Sequence, residues 1–490
     1  MKKQNLISRI LSVILVLLLV VSGISACSGE GAAETQSGGD VETSLGAKTD
    51  KSDDKIQEDN LENVPDNNIN VRDENEPSAD NSETKEVQNQ ELAGKEGSSD
   101  DALDNTDKES QEDKSAQEEI SDVKELVHIE DDTEGLEGAV AFVRRLRLGW
   151  NLGNTMDATN SATSGSNLNL ETSWSGARTT PKMIKMIKDA GFKSIRVPVS
   201  WHNHVDSEFN IDPAWMARVK EIVDYVIDED MYCTINIHHD NLKGYFYPSS
   251  DCLDESVKYV KRIWEQVGEV FKDYDDHLVF ESLNEPRLVG TSNEWNLSNN
   301  DACRDAIQCI NKLNQTFVDV VRSQGGNNPE RYLLVPGYAA QWNAAVRDDF
   351  VIPSDTAENK ILIEVHAYSP YNFALAAPTD GSSKRDFSED ENSSTSDIRI
   401  MVQRLKEVFV DKGIGVVIDE FGSRDKDGNT EARVAHAAYY VKKAREYGIT
   451  CFWWDNNCFF GSGERFGLLN RKNDTIMYPE IVEALVNNCR

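Results

Sequence analysis

The sequence predicts a (β/α)8 TIM barrel over residues 131–490, preceded by a signal peptide and a disordered acidic linker. Strand-like and helix-like runs alternate through this region, which is typical of right-handed βαβ units. Eight of the runs are short and rich in Val and Ile, as buried parallel strands are. The alternative is a doubly wound open sheet, which is disfavoured because no glycine-rich phosphate turn follows the first strand.

Residues 1–27 have the pattern of a secretory signal. A basic start, "MKKQNLISR", leads into the apolar run "ILSVILVLLLVVSGI" and then into small residues. The apolar run is short for a membrane span. "ISAC" resembles a bacterial lipobox, which would make Cys27 a lipid anchor and the protein an extracellular one, held at the bacterial cell surface. The alternative is an ordinary secretion signal with a chance cysteine.

Residues 28–130 are predicted to be a disordered linker. They contain no Phe, Trp or Tyr, and they hold 31 Asp and Glu against 9 Lys and Arg, a net charge of −22. Such a segment buries too little apolar surface to offset the entropy of ordering it. It carries most of the chain's net charge of −35. An acidic chain of this kind is a poor candidate for binding nucleic acid.

Every Phe, Trp and Tyr of the chain lies in the barrel region, from Phe142 onward, and so do seven of the eight cysteines. Because seven is odd and no C-x-x-C spacing occurs, neither a zinc site nor a disulfide framework is expected. We interpret these cysteines as mostly buried small apolar residues. We expect a monomer without a cofactor or a metal.

The strand candidates follow in chain order. They are "RLGWNLGN" (147–154), "SIRVPV" (194–199), "YCTINIHH" (232–239), "LVFESLNE" (278–285), "RYLLVPGY" (331–338), "ILIEVHAYS" (361–369), "GVVIDEFG" (415–422) and "ITCFWWDN" (449–456). Proline cannot donate to a strand ladder, so Pro286 should end the fourth strand and leave Glu285 as its last residue.

The helix candidates lie between these strands. Two have clear starts, with Thr180 before Pro181 and Asp212 before Pro213. The remaining helices are predicted over 255–274, 301–326, 396–413, 431–448 and 478–488.

Polar side chains collect at the predicted carboxyl ends of the strands, where a barrel of this type forms its active site. They are Arg196, His238, His239, Asn284, Glu285, His366, Tyr368, Asp419, Glu420, Trp453 and Trp454. Glu285 and Glu420 stand three strands apart around the ring. Their side chains could therefore approach to about 5–5.5 Å, the separation used by retaining glycosidases.

This arrangement suits glycoside cleavage, in which one carboxyl is protonated and the other is ionised. Arg196 can hold the ionised carboxylate, a histidine and a tyrosine can orient the pair, and a tryptophan offers a flat face to a sugar. His238 and His239 could form a metal site, but adjacent residues on a strand point to opposite faces, which disfavours one. Glu281 and Glu364 are predicted to be paired carboxylates in the barrel floor.

The domain resembles glycoside hydrolase family 5, a family of retaining (β/α)8 endo-glycanases. The matching segments occur in family order: "LGWNLGNTMDA" (148–158), "IRVPVSW" (195–201), "INIHHD" (235–240), "ESLNEPR" (281–287), "HAYSP" (366–370), "VIDEFGS" (417–423) and "FWWDNN" (452–457). The first and last of these are similar to the subfamily 4 branch, whose members include endoglucanases, xyloglucanases and xylanases.

The resemblance implies a role for each matching residue. Glu285 would be the acid/base and Glu420 the nucleophile. Arg196 would contact the nucleophile, and Asn284 would bind the sugar's 2-hydroxyl. The remaining substrate-binding residues would be His238, His366, Tyr368 and Trp454.

The leading hypothesis is a membrane-anchored endo-β-1,4-glucanase that acts on β-linked polysaccharide. A xyloglucanase, xylanase or mannanase on the same scaffold is the alternative, because specificity lies in loops such as 155–178, 240–256 and 371–395. A non-catalytic glycan-binding surface protein is a third hypothesis, which the presence of both glutamates disfavours. In a fourth, the linker mediates adhesion.

Overall fold

The computed structural model describes residues 133, 135–160 and 167–490, and within them eight parallel strands close into a barrel. The strands are β1 Leu148–Leu152, β2 Ser194–Val197, β3 Tyr232–Asn236, β4 Leu278–Glu281, β5 Leu333–Gln341, β6 Ile361–His366, β7 Gly415–Phe421 and β8 Thr450–Asp455. Each strand pairs with the next, and β8 pairs with β1 through Trp453 and Trp150. The predicted (β/α)8 barrel is confirmed.

The longer helices alternate with the strands. They are α1 Gly138–Leu146, α2 Pro181–Asp189, α3 Pro213–Asp228, α4 Leu253–Phe271, α5 Asp301–Arg322, α6 Asn392–Val408, α7 Thr430–Glu446 and α8 Pro479–Asn488. Short helices at Leu170–Ser173, Trp342–Ala345 and Tyr371–Ala374 lie in the connections, and a two-stranded ribbon pairs Leu469–Asn470 with Thr475–Ile476.

The two predicted helix starts are confirmed. The Thr180 side chain accepts from the backbone N–H of Met183, and the Asp212 side chain accepts from those of Ala214 and Trp215. These side-chain oxygens satisfy donors that the first turn of a helix leaves without a backbone partner.

Helix α1 covers the amino-terminal end of the barrel. Its residues Phe142, Val143 and Leu146 form one buried apolar cluster with the start of β3 (Tyr232) and with Phe452 on β8. Because this end is filled with apolar side chains, a polar site can form only at the opposite end, where the strands finish.

Strands β3 and β4 end earlier than the sequence predicts, so the expected position of Glu285 as a last strand residue is wrong. β3 stops at Asn236 and β4 at Glu281. The backbone N–H of Val199 donates to Asn236 Oδ1, at 2.9 Å. In a longer strand a backbone carbonyl would accept this bond. Glu285 therefore lies in the loop that follows β4, above the barrel mouth.

Five of the seven barrel cysteines are buried, as predicted, and the other two, Cys252 and Cys458, are partly buried. The predicted signal at 1–27 with Cys27, and the linker at 28–130, lie outside the described residues. Within the described part of the chain, no helix combines the length and the apolar character needed to cross a membrane.

Candidate active site

Arg196 lies at the centre of the polar residues at the strand ends. It is fully buried on β2 and donates five hydrogen bonds. Nε and Nη2 bind the two oxygens of Glu281 at 2.6 and 2.7 Å, and Nη2 also binds Asn284 Oδ1 at 2.7 Å. Nη1 binds Glu420 Oε1 at 2.6 Å and Asn151 Oδ1 at 3.0 Å. One guanidinium therefore fixes four side chains from four parts of the barrel.

Glu281 is a paired buried carboxylate, as predicted, but its expected place in the barrel floor is wrong. It shares Arg196 with Glu420 and Asn284, and it accepts a further bond from Asn236 Nδ2 at 2.7 Å. It lies directly below the candidate site because β4 ends at Glu281 and the chain then turns across the barrel mouth.

A β-bulge in β7 brings two adjacent carboxylates into the barrel. Val365 pairs with Ile418 and His366 pairs with Glu420, so Asp419 is an extra residue with no partner on β6. In a regular strand the side chains of Asp419 and Glu420 would point to opposite faces. The bulge lets both face Arg196, whose Nε lies 3.6 Å from Asp419 Oδ2. Asn151, which the sequence analysis did not single out, supports the bulge by donating to the Asp419 carbonyl at 2.8 Å.

The Glu420 carboxylate is oriented through both of its oxygens. Oε1 accepts from Arg196, and Oε2 accepts from the Tyr368 hydroxyl at 3.0 Å. Only 7% of the side chain is exposed. Burial, together with the charge of Glu420, raises the pKa of Tyr368 well above its usual value, which keeps this hydroxyl a donor. His366 Nδ1 also lies 3.5 Å from Glu420 Oε2, so His366 and Tyr368 both face this carboxylate.

Glu285 is paired with His366. Its Oε1 lies 2.8 Å from His366 Nδ1, and its Oε2 lies 3.5 Å from Arg287 Nη1. Burial alone would raise the pKa of Glu285, but the hydrogen bond and charge of His366 outweigh it and lower that pKa. Burial alone would lower the pKa of His366, but Glu420 and Glu285 raise it to about 9. At neutral pH the pair therefore holds one proton, on the imidazole.

The two candidate catalytic carboxylates are close together. An oxygen of Glu285, an oxygen of Glu420 and a nitrogen of His366 all lie within 4.8 Å of one another. The Glu285 side chain is the more exposed of the two carboxylates, at 17%. Glu420 is thus held by the guanidinium of Arg196 and the phenol of Tyr368, whereas Glu285 is held by the imidazole of His366.

His238 and Trp454 form an aromatic surface beside these carboxylates. Their rings are nearly parallel, at 6°, with centroids 5.9 Å apart. Burial and nearby positive groups lower the pKa of His238 well below its usual value, so its imidazole is neutral. Trp174, which the sequence analysis did not single out, extends this surface through a ring contact with His239 at 5.7 Å.

His238 and His239 do not point to opposite faces, so that expectation is wrong. Both follow the end of β3, where strand alternation no longer applies, and their ring centroids are 4.4 Å apart. Ligand-type atoms of both histidines and of Asp157 lie within 4.8 Å of one another. The Asp157 oxygens, however, already accept from the backbone N–H groups of Asn154 and Thr155.

Comparisons with known proteins identify the family of the chain. A family model described as Cellulase (glycosyl hydrolase family 5) matches residues 156–459. Endoglucanase 1 of Ruminococcus albus is 40% identical over 356 residues, which cover 72% of this chain and 82% of that protein. Cellulase/esterase CelE of Acetivibrio thermocellus is 41% identical over 351 residues, which cover 71% of this chain but 40% of that longer protein.

Solved structures give the same result. A GH5 family lichenase from Caldicellulosiruptor sp. F32 is 54% identical, with a TM-score of 0.71, and the match covers 72% of this chain and 96% of that one. A GH5-4 broad specificity endoglucanase from Ruminococcus champanellensis is 44% identical, with a TM-score of 0.66, and the match covers 71% and 98% of the two chains.

Proposed function

The chain belongs to the cellulases of glycosyl hydrolase family 5, and we propose that it cleaves internal β-1,4 bonds of glucan chains by double displacement between Glu285 and Glu420. One observation carries the proposal. Two carboxylates have oxygens within 4.8 Å of each other, while their partners differ in kind. This spacing suits direct attack on the sugar carbon better than attack by an interposed water, which needs roughly 6.5–9.5 Å.

In the first step Glu420 attacks the anomeric carbon. Arg196 and Tyr368 hold its two oxygens, so the carboxylate is fixed before the sugar arrives. Glu285 gives a proton to the departing glycosidic oxygen. That proton comes from the Glu285–His366 pair and crosses the 2.8 Å hydrogen bond, which leaves a neutral imidazole and a Glu285 carboxylate. The imidazole of His366 loses one positive charge while Glu420 loses one negative charge to the covalent bond, so the net charge of the site does not change.

In the second step the Glu285 carboxylate removes a proton from water, and the resulting hydroxide attacks the same carbon. Glu420 leaves as a carboxylate, and the pair regains its proton. Two inversions at one carbon retain the β configuration.

The sugar next to the cleaved bond is proposed to lie on the surface formed by Trp454 and His238. Because Arg196 donates to Asn284 Oδ1, the amide Nδ2 of Asn284 is the atom available to donate to a sugar hydroxyl. A neutral His238 can donate to or accept from a hydroxyl without adding charge to the site.

Substrate choice is proposed to be broad among β-glucans. The similar structures include a lichenase and a broad specificity endoglucanase, which supports this breadth. A xyloglucanase, xylanase or mannanase is the second candidate, which the similarity to broad specificity endoglucanases also favours.

The protein is proposed to act outside the cell, attached through a lipid on Cys27 and held away from the membrane by residues 28–130. The basic start, apolar run and "ISAC" sequence support this location. Cys27→Ala should release the full chain from the membrane fraction or block its processing. Membrane association unchanged in that variant would contradict the anchor.

A polysaccharide panel tests the activity itself. The wild-type chain should rapidly lower the viscosity of carboxymethyl-cellulose and barley glucan, and it should release reducing ends more slowly from xyloglucan, xylan or mannan. Glu420→Gln, which keeps the shape of the nucleophile, is the matched inactive control. Strong cleavage of xylan or mannan with no cleavage of either glucan would overturn the assignment.

A further inference from the structure

Two buried carboxyl groups below the catalytic pair take no part in the mechanism above. Glu364 on β6 and Asp419 on β7 are 0% and 1% exposed. All four of their oxygens lack a hydrogen-bond partner among the described residues. Glu364 is buried and paired, as expected, but its partner is the His366 imidazole at 3.5 Å and not an arginine as for Glu281. Buried carboxylates normally carry partners, because an unpaired buried charge is costly.

The two carboxyl groups converge on one nitrogen. Glu364 Oε1 and Asp419 Oδ1 each lie 3.5 Å from His366 Nε2. All three atoms lie within 4.8 Å of one another. The other ring nitrogen of His366 bonds to Glu285, so the imidazole connects this pair to the proposed acid/base.

The carboxyl groups of this buried cluster outnumber its cations, so they cannot all be ionised without an excess of negative charge. The charged groups around Glu364 are Arg196 on β2, Glu281 on β4, His366 on β6, and Asp419 and Glu420 on β7. With Glu285 and its partner Arg287, five carboxyl groups face three cations. Because uncompensated charge is expensive in a dry interior, at least one carboxyl group should be protonated.

We propose that Glu364 and Asp419 share a single proton, and that the resulting pair, with one negative charge, is a positioning element that holds His366 against Glu285. The proton resides mainly on Glu364. Asp419 lies within 4 Å of both Arg196 and His366, whereas Glu364 lies that close to His366 alone. Burial first, and then the charge of Glu281, raises the pKa of each carboxyl group well above its usual value.

The shared proton itself does not depend on the proposed function. Only its expected effect on hydrolysis rests on that proposal. The negative charge of the pair lies about 3.5 Å from His366 Nε2, which keeps the imidazole protonated and its Nδ1–H directed at Glu285. If the pair lost its charge, the pKa of His366 would fall and the proton needed by the leaving group would no longer be held there.

A double-mutant cycle in the full chain tests the shared proton. Glu364→Gln and Asp419→Asn each replace a carboxyl group by an amide of the same shape, and each leaves one carboxyl group that can ionise. The double variant leaves none. Glu171→Gln is the control, since Glu171 is a buried carboxylate paired with Arg218 and the Thr179 N–H.

The first readout is the titration of His366, followed by NMR in chains with labelled histidine, and it does not depend on catalysis. A pair with one charge predicts that each single variant keeps the His366 pKa near its wild-type value of about 9. The double variant should lower it, because Glu420 and Glu285 are then the only remaining carboxylates among the groups that raise this pKa. Equal falls in both single variants that add up in the double variant would mean two charges on the wild-type pair, and would overturn the proposal.

The second readout is kcat/KM on barley glucan as a function of pH. Each single variant should stay within about tenfold of wild type, while the double variant should lose about 100-fold and its alkaline limb should move to lower pH. The expected NMR shifts without any change in hydrolysis would support the shared proton and count against Glu285 as the acid. Metal analysis that found one cation per wild-type chain, lost in Glu364→Gln, would show a bound ion in place of the proton.

Discussion

Glu285→Ala should separate the two chemical steps of the enzyme. The substitution removes the proposed acid/base and leaves Glu420 with its partners, because Arg196 and Tyr368 bind Glu420 independently of Glu285. His366, the partner of Glu285, still has Glu420 at 3.5 Å as a counterion. The Glu285 side chain is 17% exposed, so its loss should lower the free energy of unfolding by only about 1 kcal/mol.

The size of the effect depends on the leaving group. A sugar hydroxyl leaves slowly without a proton, and general acid catalysis contributes about 10²- to 10⁴-fold, or roughly 3–5 kcal/mol of barrier. Cleavage of barley glucan should therefore fall by about that factor. A dinitrophenyl cellobioside expels a stable phenolate, so its first step should be nearly unaffected.

The assay follows release of the phenolate with and without azide. In Glu285→Ala the covalent intermediate should accumulate, because water lacks a general base for the second step. A burst of phenolate should be followed by slow turnover. Azide needs no base, so it should accelerate turnover and give a β-glycosyl azide.

Glu294→Ala is the matched control. Glu294 contacts the same Arg287, at 3.4 Å, and its side chain is similarly exposed, at 21%. It should keep the wild-type rate on both substrates. Equal losses on both substrates in Glu285→Ala, without any effect of azide, would refute the assignment. Rescue of Glu420→Ala with a β-azide product would show that the two roles are reversed.

Three further predictions concern the arginine, the pH and the linker. Arg196→Lys should lower the free energy of unfolding in urea by about 3–5 kcal/mol, because one ammonium cannot pair with Glu281 and Glu420 together. The pKa of His366 is raised to about 9 in the folded state, so its contribution to stability is complete below about pH 6.5 and is lost as the pH rises through about 9. Burial lowers the pKa of His436 to about 4, so stability is also lost as the pH falls from about 6.5 towards 4. The melting temperature should therefore be highest at about pH 6.5, where neither loss has begun. A chain that begins at Ile129 should keep the wild-type kcat/KM on soluble glucan, and a large loss would show that the acidic segment belongs to the folded domain.

The sequence predicted the barrel because its signals are local. The Val- and Ile-rich strands alternate with helices, and the caps at Thr180 and Asp212 depend on neighbouring residues alone. The positions of Arg196, Glu285 and Glu420 followed because strand ends meet at one rim of a barrel. The same geometry predicted that Glu285 and Glu420 approach each other and that Arg196 can hold an ionised carboxylate, whereas the resemblance supplied the role of each glutamate.

The missed features depend on long-range contacts. Strand β4 ends at Glu281, four residues before Glu285, and no local pattern in the sequence marks that end. The bulge at Asp419 depends on register with β6 and on a bond from Asn151, 268 residues away. The protonated state of His366 depends on carboxylates from two separate segments, the loop after β4 and strand β7, so it could not be inferred from either segment alone.

The identity of the nucleophile is the central claim, and trapping the covalent intermediate tests it most directly. A dinitrophenyl 2-deoxy-2-fluoro-cellobioside slows both steps through its fluorine, while its leaving group restores the first, so the glycosyl-enzyme should accumulate. Peptide mass spectrometry after brief exposure should find one fluorinated disaccharide attached to Glu420. Attachment to Glu285, or no adduct together with an α-anomer as the first product seen by proton NMR on a natural oligosaccharide, would contradict the account.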